Sequence, residues 1–355
     1  MRPKSDKRTG SRMYIVYYDS GTTNTRAYLI KDGRIAGRLE RQVGARNSAL
    51  MQDNAVLVRE LRDMFDALLE DAHIYNEEVA HIYLSGMVSS PSGLVEVEHL
   101  PVPVDWKKLR DSIVCHEEER FFQRMLEIIP GIKTVPYNAR VVPETADRVN
   151  MMRGEEIEVF GVLRGNPALE QGCVVLILPG SHTQAVLLED GCIKDISSNI
   201  TGELFKAVVS ETILGASIAG EEEWEIDEEM VCLGANNAHI HGFNRALYIL
   251  RILDLFTEAT LNQRRSYLEG VLNTGVMDAV MEAFGLKGMV NPAGQGRCPV
   301  IRLAVAGDRI QQTIYHGLCR KVYPGFHMIA VCPDKDMPFS VSGLLRILGN
   351  ADMEG

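Results

Sequence analysis

The stretch YYDSGTTNTRAYLI, residues 17–30, decides how the rest of the chain reads. An apolar run, MYIVYY, stops at Asp19; Gly21, Thr22, Thr23 and Asn24 follow; an apolar-alternating run resumes at Ala27. Small polar residues and glycine turn a chain tightly, so 13–18 and 25–31 read as strands joined by a small-residue turn. KDGR at 31–34 carries the Asp-Gly hairpin signal and predicts a third strand over 34–39. A carboxylate at a strand end can hold a hydrated Mg²⁺. Small residues after it let a phosphate approach backbone N–H groups.

The same succession returns later in the chain. CVVLILP, 173–179, is a continuous apolar run of the kind buried on both faces. GSHT, 180–183, turns the chain, and QAVLLED, 184–190, and CIKDIS, 192–197, continue around Gly191. Two three-stranded openings imply two similar domains. PVIRLAVAG, 299–307, reads as a late strand whose terminal Gly307 leaves room for a nucleotide base or ribose. Neither GxxxxGK[ST] nor a strand-following GxGxxG occurs. Taken singly, each turn reads as an ordinary hairpin. The ordered set points to the actin-like, sugar-kinase and heat-shock ATPase architecture: an α/β fold of two actin-like (ribonuclease H-like) domains with a central cleft, their turns gripping ATP. The expected division is a disordered basic tail at 1–12, an N-terminal domain at 13–166 and a C-terminal domain at 167–355, with the final helix free to pack back on the first domain.

Residues 53–70 predict an amphipathic helix capped by Asp53 or Asn54. Further helices are expected over 116–129, 154–165, 202–214, 240–260 and 338–349, and a strand over 81–86. The formal net charge of -11 argues against a nucleic-acid footprint. No apolar run reaches the length of a bilayer span, and residues 1–12 lack a signal-peptide core, so a cytoplasmic protein is expected. Seven cysteines without a CxxC suit a reducing compartment, with Cys173 and Cys192 expected as buried thiols. His239 and His241 could share a strand face and bind metal, but no third ligand stands near them in sequence. The acidic run EEEWEIDEE, 221–229, reads as a solvated face.

Six segments together resemble one family. DSGTTNTRAYL (19–29), SGMVSS (85–90), MRGEE (152–156), LPGSHTQAV (178–186), ITGELF (200–205) and LAVAGD (303–308) resemble, in order and spacing, segments of the 2-dehydro-3-deoxygalactonokinases. MRGEE with PGSH and TGEL carries the specificity; DSGTTN alone indicates only the superfamily. The resemblance implies an ATP-dependent kinase acting on the 6-hydroxyl of 2-dehydro-3-deoxy-D-galactonate in galactonate breakdown.

By that resemblance Asp19 positions Mg²⁺, and Gly21, Thr22, Thr23 and Asn24 contact phosphate. Gly180, Ser181 and His182 form the second phosphate turn, and Gly307 lies near the nucleoside. Gly86, Met87, Arg153, Glu156, Gly202 and Glu203 fall in the segments expected about the sugar acid, with Arg153 able to pair with its carboxylate bidentately. Arg153 also reads as a helix-start ion pair, and Glu155 and Glu156 as first-turn acids favoured by the helix dipole. The catalytic base is open between Asp147 and Glu155, with Asp147 the preferred candidate. Asn150 occupies the position just before MMRGEE where related kinases place an Asp. Ser20 stands where the family has Trp, and Gln184 and Ala185 stand where it has Lys and Trp. These departures leave open a kinase for another keto-deoxy sugar acid, or a non-catalytic sensor of the same fold. The implied partners are the sugar acid and ATP, with neither nucleic acid nor membrane, and a homodimer as an open option.

Overall fold

The computed structural model describes residues 13–287 and 301–349. The tail at 1–12 lies outside them, as do the first residues of the expected strand at 299–307. The chain divides into two compact units. One comprises 13–133, 152–165 and 333–349; the other comprises 134–151, 166–287 and 301–332. The chain passes between the units at 133/134, 151/152, 165/166 and 332/333, and its last helix belongs to the first.

The first unit holds a six-stranded sheet in the order Arg34–Arg41, Thr25–Lys31, Tyr14–Ser20, Val79–Gly86, Arg124–Ile128, Val114–Glu118. The first three strands form an antiparallel meander, and Tyr14–Ser20 then pairs in parallel with Val79–Gly86. The meander's second turn is Asp32-Gly33, both at positive φ, the conformation that Asp-Gly hairpins favour. The helix Ala55–Ala72 lays Leu57, Leu61, Phe65 and Leu68 on Val16, Tyr18 and Leu29. Each such fully buried side chain stabilises the unit by about 1.5–3 kcal/mol. The helices Glu155–Gly165 and Phe339–Leu348 pack closely through two glycines. A Cβ on Gly161 would lie 1.9 Å from the Phe339 carbonyl oxygen, and one on Gly343 would lie 1.9 Å from that of Ile157.

The second unit repeats the plan: Cys192–Ile200, His182–Glu189, Cys173–Leu178, Ile301–Ala306, Phe326–Val331. Again the first three strands are antiparallel and the next joins in parallel. Its second turn, Asp190-Gly191, is also left-handed at both residues. Each unit is thus an α/β ribonuclease H-like half. Val175, Ile177, Leu303 and Val305 form a core with residues of Leu261–Ala283 and Arg309–Lys321.

Several expectations need correction. Residues 116–129 are not a helix. Val114–Glu118 and Arg124–Ile128 form an antiparallel hairpin, because buried Glu118 accepts from the N–H groups of Phe121 and Phe122 and fixes the turn. The helix expected over 240–260 is divided at Gly242, at positive φ, into Glu228–His241 and Phe243–Phe256. That over 202–214 ends at Glu211. Cys173 is exposed and Cys192 half-buried, since each is the first residue of its strand. His239 lies on a helix, not a strand, and faces Asp278 at 3.1 Å. Among the described residues no group of His, Cys, Asp or Glu is arranged to hold a metal by itself. None of their helices is long and apolar enough to cross a membrane.

Candidate active site

The opening strand delivers Asp19 to the carboxyl end of the parallel pair, where Asp19 aligns with Ser85 and Ser20 with Gly86. Open α/β sheets bind ligands at this end. The turn beyond it closes through Gly21 N–H to the Asn24 carbonyl at 2.8 Å. Its base is fixed by Ser20 Oγ with Thr25 Oγ1 at 2.9 Å, and by Thr25 Oγ1 donating to the Val43 carbonyl. The N–H groups of Ala45 and Arg46 take the carbonyls of Gly21 and Thr22. Gly44 permits that approach: a Cβ there would lie 2.5 Å from both carbonyl oxygens. The turn's carbonyls are thereby occupied from behind while Thr22, Thr23 and Asn24 stand exposed. Ser20 is fully buried.

Two separated motifs meet beside this turn. Gly86, at φ +81°, admits no side chain, since a Cβ would lie 2.3 Å from the Ser20 carbonyl oxygen. A Cβ on Gly154 would touch the Gly86 Cα at 3.4 Å. SGM and MRGEE are thus neighbours, with Met87 half-buried at their junction. Arg153 is neither a helix-start ion pair nor an open carboxylate clamp. Its Nη1 donates to the Ser89 carbonyl and Oγ at 2.6 Å, and its Nη2 to the Val97 carbonyl and His99 Nδ1. Burial and the Arg153 charge lower the His99 pKa to about 4, so His99 is neutral and accepts from the guanidinium. Glu156 does not reach solvent. It is fully buried and accepts the Gly154 N–H at 2.8 Å, capping its own helix. Burial and the Glu155 charge raise its pKa. As placed, Glu156 has no surface to offer a sugar hydroxyl.

Glu155 differs from its neighbour. Burial raises its pKa to about 7, with Asp19 contributing. Glu158 is raised to about 8 by burial and then by Asp19 and Glu155. Asp19 is itself raised by burial, against Arg26 and a hydrogen bond from Ser340. These three carboxylates share one field. The sequence reading passed over Glu158, although its i, i+3 spacing from Glu155 is the signal of a shared helix face. Hard oxygen donors of this kind suit Mg²⁺, which keeps several waters and takes one or two carboxylates plus substrate phosphates. Asp147, by contrast, belongs to the other unit and is exposed on the short helix Pro143–Arg148. Asn150 is committed elsewhere, its Oδ1 accepting the Ser198 N–H at 2.9 Å.

In the second unit the turn after Cys173–Leu178 exposes Gly180, Ser181 and His182. Its carbonyls are again occupied from behind. Gly202 N–H donates to the Gly180 carbonyl, and Glu203 N–H to that of Ser181 at 3.1 Å. A Cβ on Gly202 would lie 2.6 Å from the Gly180 oxygen. Thr183 Oγ1 and Thr201 Oγ1 bond at 2.7 Å beneath the turn, and His182 Nε2 lies 3.7 Å from the exposed Glu203 carboxylate. Gly307 completes the group, since a Cβ there would lie 3.3 Å from Pro179 Cγ. Gln184 is buried, and its Oε1 accepts from Ser198 Oγ at 2.8 Å. A lysine at 184 would bring its charge to a side chain that is now buried and neutral.

Comparison with known proteins bears on both halves. The model of the 2-keto-3-deoxy-galactonokinase family matches residues 19–291. The chain is 24% identical over 204 residues to the 2-dehydro-3-deoxygalactonokinase of Escherichia coli (strain K12), covering 58% of this chain and 59% of that one. It is 24% identical over 207 residues to a protein of Rhizobium meliloti (strain 1021) named as a probable 2-dehydro-3-deoxygalactonokinase, covering 58% and 60%. The match thus spans less than two thirds of either curated relative. A solved Sinorhizobium meliloti structure, described as that of a putative 2-dehydro-3-deoxygalactonokinase protein, superposes with a TM-score of 0.68 at 19% identity, covering 95% of this chain and 99% of that one. At that identity the likeness shows the fold alone.

Proposed function

The chain belongs to the 2-keto-3-deoxy-galactonokinase family, and on that premise we propose that it is an ATP-dependent carbohydrate kinase. Its acceptor is the 6-hydroxyl of 2-dehydro-3-deoxy-D-galactonate, placing it in galactonate breakdown. The observation that carries this reading is the convergence of the family's separated motifs. DSGTTN, SGM and MRGEE gather in one unit, and PGSH, TGE and AGD gather in the other, each at the carboxyl ends of parallel strands.

Phosphoryl transfer asks mainly for positioning and charge neutralisation. The turns at 21–24 and 180–182, their carbonyls held from behind, present N–H and hydroxyl groups to phosphate oxygens. Gly307 leaves space for the nucleoside. Asp19, with Glu158 beside it, would hold Mg²⁺, whose charge offsets that developing on the transferred phosphoryl group. Glu155, titrating near neutrality, is the base we favour over Asp147, because a general base works best with a pKa near the operating pH. Glu203 and Met87 remain candidates for the sugar acid.

A second reading rests on one observation. Both terminal nitrogens of Arg153 are committed, and Gln184 replaces the family's lysine. Neither position offers a cation to a substrate carboxylate, which favours a different keto-deoxy acid or a sensor. The test is ATP consumption by the purified chain with Mg²⁺ and a panel of keto-deoxy sugar acids. Turnover of 2-dehydro-3-deoxy-D-galactonate that Asp19→Ala abolishes supports the first reading. Turnover of another acid replaces the substrate, and silence across the panel leaves the sensor.

A further inference from the structure

The helix Phe339–Leu348 belongs to the first unit but lies beyond the stretch 19–291 that the family model matches. It packs antiparallel on Glu155–Gly165, with Gly343 against Ile157 and Phe339 against Gly161. Ser342 Oγ donates to the Gly161 carbonyl at 3.4 Å across that contact, so the start of the later helix is held in place on the earlier one. Ser340, in its first turn, is 4% exposed. A serine near a helix start commonly caps its own helix, but the cap position here is Pro338, and no side chain caps the helix. The Ser340 hydroxyl is instead given to the Asp19 carboxylate, at the far end of the chain. Asp19 keeps 19% of its side chain exposed, and Arg26 Nη1 lies 4.0 Å from its Oδ2.

We propose that Ser340 is a positioning residue of the cation site: by donating to Asp19 it fixes the orientation of that carboxylate and leaves the remaining lone pairs for a divalent cation or its water. The proposal rests on the reading of Asp19 as the carboxylate that holds Mg²⁺. A ligating carboxylate is itself oriented by hydrogen bonds from behind, and those partners tune its hold on the metal. A hydroxyl donating to an ionised oxygen makes a charge-assisted bond, shorter and stronger than a neutral one. The first turn of the helix also brings its positive dipole end to the carboxylate. Both effects favour the charged form of Asp19, which lies in the same field as Glu155 and Glu158. The site is thus completed by a part of the chain that none of the six motif segments reaches.

The test is binding of Mn²⁺ to the full chain in the presence of β,γ-methylene-ATP, followed through the relaxation of water protons, which quickens when the ion is held on a slowly tumbling protein. Ser340→Ala should weaken Mn²⁺ binding by about tenfold or more, with the circular dichroism unchanged. Ser340→Thr and Ser340→Val add the same bulk, so the hydroxyl alone separates them, and Ser340→Thr should bind the ion several-fold more tightly. A role in packing alone would affect those two variants alike. Equal affinities for Ser340→Thr and Ser340→Val, or a Ser340→Ala chain that binds as tightly as the unmodified one, overturn the proposal. Asp19→Ala tells this failure from failure of the kinase reading. If Asp19→Ala loses the ion while Ser340→Ala keeps it, only the role of Ser340 falls. If Asp19→Ala also binds Mn²⁺ as the unmodified chain does, Asp19 does not hold the cation and both readings fall.

Discussion

Gly202 rests on the carbonyl of Gly180: a methyl group added at 202 would stand 2.6 Å from that oxygen. The start of one helix thereby seals the back of a turn whose outer side is exposed. The first unit does the same with Gly44 behind Gly21 and Thr22. In both, a glycine behind the turn fixes its carbonyls and leaves its outer N–H groups for a ligand.

Gly202→Ala is therefore expected to cost about 1–3 kcal/mol in urea unfolding and to weaken nucleotide binding disproportionately. Gly275→Ala is the contrast. Gly275 is exposed in the helix Leu261–Ala283 and has no atom within 4 Å of its would-be Cβ. It should gain about 0.5–1 kcal/mol. Equal responses at the two sites would refute the packing account.

Arg153→Lys should destabilise the first unit by roughly 1–3 kcal/mol. One ammonium cannot replace a fork that reaches the Ser89 and Val97 carbonyls together. Protease nicking within 87–99 should accelerate in the variant. If instead only the KM for the sugar acid changes, with the denaturation midpoint unmoved, Arg153 contacts substrate after all.

The carboxylates of Glu155 and Glu158 titrate near 7 and 8 in the fold, against 4.5 for the free side chain. The folded state therefore holds protons that the unfolded chain has released. Their stabilising effect is fully present below the lower value and is lost as pH rises through the two upper ones. Without metal, the melting temperature should fall between about pH 4.5 and pH 8 and level off above. Glu158→Gln should flatten that fall, and saturating Mg²⁺ should oppose it. A melting temperature that rises over the same range would contradict the arrangement.

The base assignment separates two variants of similar size. Glu155→Gln should lower kcat by about 10²-fold or more, with KM for ATP little changed. Asp147→Asn should leave kcat within about threefold, on the scale at which a lost general base is felt. The reverse result would return the role to Asp147.

Much of this site was legible along the chain because small residues at strand ends have few other uses. The Asp19 turn, the Gly180 turn and the Asp-Gly hairpins all stand where local sequence puts them. The helix expected over 116–129 failed because Glu118, a good helix former in isolation, is recruited to cap a hairpin turn. Arg153 and Glu156 were misjudged for a related reason. Sequence shows that a charged side chain exists, not that folding has already supplied its partners.

The sequence by itself determined the two meanders, the placement of their turns and the family, since strand periodicity, left-handed glycine positions and motif order are properties of a few residues at a time. Only the tertiary structure decided which motifs touch, that Glu156 is spent on its own helix, and that Glu158 joins Asp19 and Glu155. Proximity between distant segments sets desolvation and charge coupling, and these energies do not exist until the chain has folded.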